Sequence, residues 1–131
     1  MSSSPAQLNL ILAWLWIFLG VVFGFILGNF FHREDWLGGY ASFKRRLYRL
    51  AHISMFGLAI LNLLFYLTVK GWTPFGMDLV IASWGFLVGA VSMPLCCLAM
   101  AHRPKLRALF LIPVLSLAVS AFLTFWEVLK P

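Results

Sequence analysis

Ser42-Phe43-Lys44-Arg45-Arg46-Leu47-Tyr48-Arg49-Leu50-Ala51-His52 puts four of the chain's ten Lys and Arg residues into six positions, between two long apolar runs. Lys and Arg are retained on the cytoplasmic side of a bilayer, so a basic cluster between hydrophobic stretches marks a short loop held there. The stretch predicts a polytopic membrane protein and sets which way it faces. It also delivers His52 to the edge of the hydrocarbon.

The composition points the same way. Of 131 residues, 63% are hydrophobic and only 11% charged, against about 25% charged in a typical soluble domain. Such a chain cannot cover a water-facing surface. The net charge is +6, but the basic residues sit at the ends of apolar runs, which suits an anionic lipid surface and not nucleic acid. The two cysteines, Cys96 and Cys97, are adjacent and offer no disulfide framework.

Working outward from the basic stretch, four apolar spans are predicted at about residues 8–31, 50–69, 79–101 and 108–126, each near the length that crosses about 30 Å of hydrocarbon. The polar start, Met1 to Gln7, has no basic segment of the kind a signal peptide carries, so the first span is read as retained. Trp14 and Trp16, near one end of that span, suit anchoring at an interface. Ser42 is a predicted helix N-cap. From Phe43 the second helix begins with an amphipathic turn at headgroup depth, Phe43, Leu47 and Leu50 on one side and Lys44, Arg45 and Arg49 around the rest. Gly71, Pro74 and Gly76 punctuate the second loop, and Pro104 stops the third span at Arg103.

Orientation follows from the basic residues. The first and third loops hold Arg33, Lys44, Arg45, Arg46, Arg49, Arg103, Lys105 and Arg107; the second loop and C-terminus hold only Lys70 and Lys130. The expected fold is therefore an all-α integral membrane protein, a single transmembrane domain of four helices in an antiparallel bundle. Both termini are expected on the non-cytoplasmic side of an inner or plasma membrane, with loops 32–49 and 102–107 in the cytoplasm.

Small residues at helical spacing mark expected contacts between helices: Gly20, Gly24 and Gly28 in the first span as a glycine zipper, Gly85 and Gly89 in the third, Ser116 and Ser120, with Thr124, in the fourth. Pro94 and Pro113 lie inside the third and fourth spans, and each removes a backbone donor.

The chemistry is sparse. No Asp, Glu, Lys or Arg lies mid-span, where pumps and proton-coupled carriers place one. No nucleophile–base pair, carboxylate pair or phosphate loop is present, so an enzyme is not expected. Met93, Cys96 and Met100 share a helical face, a soft-ligand pattern more often used for packing than for copper. His32, His52 and His102 are expected at one membrane face. His52 and His102, with Asn62 on the same helix as His52, are the candidate cofactor residues, because imidazoles on two helices can ligate a haem b iron. A quinone is the other candidate cofactor. Lys44, Arg45, Arg46, Arg49, Arg103, Lys105 and Arg107 are the candidate basic collar for anionic lipid or an acidic partner.

Two readings result. The favoured one is an accessory or structural subunit of a larger membrane complex, an energy-converting or electron-transfer complex being the suggested host, with membrane lipids and other membrane subunits or further copies as partners. The alternative is a haem b or quinone electron-transfer protein using His52 and His102.

The orientation predicts a labelling pattern. Cysteines introduced at Thr73 and Ser2 react with an impermeant thiol reagent added outside intact cells, and one at Gly39 does not; the reverse pattern inverts the topology.

Overall fold

The computed structural model describes residues 5–130. Four α-helices are present: α1 (Pro5–Phe31), α2 (Phe43–Val69), α3 (Met77–His102) and α4 (Leu111–Leu129). All four lie in segments long and apolar enough to cross a membrane, and no strand occurs among the described residues. The helices form a bundle in which α2 packs on α1 and α3, α3 packs on α4, and α1 also touches α3. α3 is the most enclosed helix and α4 the least.

The boundaries follow local chemistry. Leu37, Gly38 and Gly39 all have positive φ (54°, 85° and 94°), which two glycines adopt freely and which turns the first loop sharply. Ser42 then starts α2 as expected: its hydroxyl accepts the Arg45 N–H at 3.1 Å and donates to the Leu37 carbonyl at 2.6 Å. The fourth span differs from expectation at its start. Pro104–Phe110 is 3-10 helix and α4 proper begins only at Leu111. This places Pro113 in the first turn, where a missing N–H costs least.

α1 shows why the glycine contact is shorter than expected. Its buried positions Ala6, Asn9, Ala13, Gly20 and Leu27, with half-buried Trp16 and Phe23, recur every three or four residues, the 3.5-residue seam of helices packed side by side. Gly20 and Gly24 do lie against α2: a Cβ on Gly20 would stand 2.9 Å from the Phe56 ring, and one on Gly24 2.7 Å from His52 Nε2. Gly28 is exposed and a Cβ there would meet nothing within 4 Å, so it is not a packing residue in this bundle. Each four-residue step turns the helix about 40° past a full circle. The third glycine has rotated off the seam, and Leu27 takes its place.

The α3–α4 contact uses all four expected residues. A Cβ on Gly85 would collide with Ser120 Oγ, and one on Gly89 with the Leu117 side chain, with Ser116 Oγ 3.2 Å away. Ser120 is buried and bonds back to the Ser116 carbonyl at 2.7 Å. The hydroxyls are thus satisfied within α4 and the glycines let the backbones approach.

The proline inside α3 is compensated from a neighbouring helix. Pro94 cannot donate to the Ala90 carbonyl, four residues earlier. The Trp16 indole N–H of α1 donates to that oxygen at 2.8 Å. Pro113 opens no such gap: the Leu109 carbonyl lies before α4 and accepts the Leu111 N–H, with the Cys96 thiol of α3 also directed to it at 3.5 Å. Trp16 is therefore a bridge inside the bundle and not an interface anchor.

If Trp16 serves the Pro94 gap, the two are energetically coupled. Trp16→Phe should lower unfolding stability in detergent by about 1–2 kcal/mol. The loss should shrink by about 1 kcal/mol in a Pro94→Ala background, where residue 94 can supply the donor itself. An unchanged loss in that double-mutant cycle refutes the pairing.

Candidate functional site: polar groups inside the bundle and its basic end

Two polar centres stand out, one within the spans and one where the first and third loops meet. The first joins α1, α2 and α3. Asn9 Nδ2 donates to Asn62 Oδ1 at 2.8 Å and to the Ser83 carbonyl at 3.2 Å, while Ser83 Oγ donates to Asn9 Oδ1 at 2.5 Å. Asn62 Nδ2 donates to the Leu58 carbonyl of its own helix at 2.8 Å and toward the Phe86 carbonyl of α3 at 3.4 Å. All three side chains are buried. A network closed in this way holds three helices in register at one depth, because sliding any of them strands an amide in an apolar interior. Asn62 was legible as a protein-facing residue; Asn9 was not singled out, since so early in the first span it reads as an interface residue. Nothing in the sequence set Asn9 apart from Asn29, which stands near the other end of the same span.

The histidines are placed separately. His52 Nε2 donates to the Gly20 carbonyl at 3.1 Å, and the ring is packed edge-on between Phe23 and Phe56. A carbonyl only accepts, so Nε2 carries a proton. His102 Nε2 shares a 2.8 Å hydrogen bond with the Tyr48 hydroxyl. Haem ligation through either Nε2 would displace a bond the bundle already makes. Asn62 is bonded to Asn9 and to backbone carbonyls of α2 and α3, and to neither histidine. His32 is exposed.

The basic stretch is divided by the fold. Arg45 is 3% exposed and reaches back to the end of α1, Nη2 donating to the Phe31 carbonyl at 2.8 Å and Nη1 to the Arg33 carbonyl at 3.3 Å. Its guanidinium lies over the rings of Phe31, Trp36 and Tyr40, 5.1 to 5.7 Å from their centroids. A cation here satisfies carbonyls that have run out of intrahelical donors and meets the negative end of the α1 dipole. The expected faces of this turn are therefore corrected: Arg45 and Leu47 point inward, and Phe43 and Leu50 are exposed. Arg45 caps a helix, where the sequence grouped it with the lipid-facing collar. Arg49 also lies over Tyr40, 4.4 Å from the ring centroid. Lys44, Arg46, Arg103, Lys105 and Arg107 are exposed. Among the described residues the ion pairs are Lys130 with Glu127 and with Asp78, at the other end of the helices, and none involves these basic side chains.

Fold and polar centres together define a small four-helix membrane bundle whose internal polar groups hold helices to one another. Comparison with family models, curated proteins and solved structures finds no match.

Arg45 should carry structure where its neighbour carries only charge. Arg45→Gln is expected to cost about 2 kcal/mol of stability, through loss of charge-assisted bonds to two carbonyls, and Arg46→Gln almost nothing. Thermal unfolding of both variants in one detergent checks this; equal effects would place Arg45 with the exposed collar.

Proposed function

We propose that this chain is a small accessory subunit that packs against larger subunits of a membrane complex and performs no catalysis of its own. The observation that carries the reading is where its polar groups go. Asn9, Asn62, Ser83, Ser120, His52 and Trp16 each spend a hydrogen bond inside the bundle. What remains outward on the flanking helices is apolar and aromatic: Trp14, Phe18 and Phe25 on α1, and Phe122, Phe125 and Trp126 on α4. Large rigid rings on an outer helix face suit lipid or a neighbouring subunit. In this reading consecutive helices run antiparallel and both termini lie outside an inner or plasma membrane. The first and third loops then face the cytoplasm, where anionic lipid is their first partner. An electron-transfer or other energy-converting complex is the proposed host, with self-association as the other arrangement.

Affinity purification in mild detergent tests it. The expected result is a colourless protein that brings larger membrane subunits in fixed ratio. A Soret band lost in His52→Ala would replace this reading with the haem b alternative, and an isolated monomer at all detergent concentrations would remove the subunit reading.

A further inference from the structure

The first loop, the start of α2 and the end of α3 enclose an open recess of about 490 Å³, whose walls include Leu37, Ser42, Phe43, Lys44, Ala101 and His102. Its lining is mixed. Leu37, Phe43 and Ala101 give it an apolar floor, while Lys44 and His102 give it a cation and an imidazole. It lies at the end of the bundle that carries Arg33, Lys44, Arg45, Arg46, Arg49, Arg103, Lys105 and Arg107 against two carboxylates, Glu34 and Asp35. None of those ten charged side chains is in an ion pair among the described residues. The end therefore has a surplus of cations that the chain itself leaves uncompensated.

We propose that this recess holds the phosphate of an anionic phospholipid from the leaflet at this end of the bundle, with Lys44 and His102 as its ligands. The inference goes beyond the accessory-subunit reading and needs only the membrane setting. The pairing of charges favours an anion, and the apolar walls favour one attached to an acyl glycerol over a free ion. The Tyr48–His102 hydrogen bond assigns the imidazole its part. That bond occupies Nε2 and leaves Nδ1 as the ring nitrogen that donates to the phosphate. Lys44 supplies the full charge. It stands in the first turn of α2, at the positive end of that helix. Arg45, turned inward onto α1, is not a ligand. Arg46, two positions along the helix from Lys44, is not among the residues that line the recess. The site thus separates two neighbouring cations that a diffuse basic surface would treat alike.

The full-length protein in nanodiscs of phosphatidylcholine with a minor share of phosphatidylglycerol, analysed by native mass spectrometry, distinguishes the cases. Lys44→Gln should lower retained phosphatidylglycerol about fivefold, the equivalent of about 1 kcal/mol for one juxtamembrane cation. His102→Gln should lower it in the same direction, and Arg46→Gln should leave it within twofold. Lys44 and His102 are exposed, and unchanged melting of the three variants confirms that the comparison is of binding and not of folding. Equal losses in Lys44→Gln and Arg46→Gln overturn the recess in favour of a diffuse collar. Lys44-dependent binding of inorganic phosphate to delipidated protein at similar strength overturns lipid as the occupant.

Discussion

Inside hydrocarbon no water is available to a backbone carbonyl, so every one must find a donor within the protein. This constraint shapes the bundle most clearly at Pro94, which withdraws a donor from the Ala90 carbonyl of its own helix. That carbonyl is served from α1 instead, by the Trp16 indole. The defect in one helix becomes the adhesive for another. The same demand explains Arg45, which serves the Phe31 carbonyl at the end of α1; the converse demand, a buried donor needing an acceptor, explains His52, which donates to the Gly20 carbonyl.

These bonds have a common geometry. Small residues bring backbones close, and a donor then reaches across the narrowed gap. Gly20 and Gly24 let the His52 and Phe56 rings lie directly on α1. Close approach and hydrogen bonding are one arrangement here, since the bond from His52 to Gly20 needs the missing side chains beside it. The Asn9–Asn62–Ser83 network repeats the principle with amides at another depth. Association of helices in lipid depends on such packing and polar contacts, because apolar side chains gain little by leaving lipid tails for each other.

Much of this architecture was legible in the sequence. Long apolar runs broken by Pro, Gly and basic residues located the four helices, and Ser42 located the start of α2. Small residues at helical spacing marked Gly85, Gly89, Ser116 and Ser120 as contact positions without naming which helix each would meet. What escaped depended on distant partners. Four adjacent cations gave no clue that Arg45 alone turns inward, because that depends on where α1 ends, over ten residues earlier. Gly28 looked equivalent to Gly20 and Gly24 until the 3.5-residue seam of α1 replaced a strict four-residue step. Trp16 looked interfacial, and Asn9 carried no reading of its own, because their partners lie on other helices. Of the candidate cofactor residues, the position of Asn62 toward protein was readable, whereas the individual partners of His52 and His102 were not.

The bond from Trp16 to the Ala90 carbonyl also bears on how this chain can vary over time. A proline in α3 is harmless only while an indole stands opposite it, and the indole is needed there only while the proline remains. The two positions, 78 residues apart in order, are in effect one inherited trait. A lineage that replaces Pro94 releases Trp16 to drift toward any bulky apolar residue. One that loses Trp16 first passes through a weakened intermediate, so the order of loss has a preferred direction.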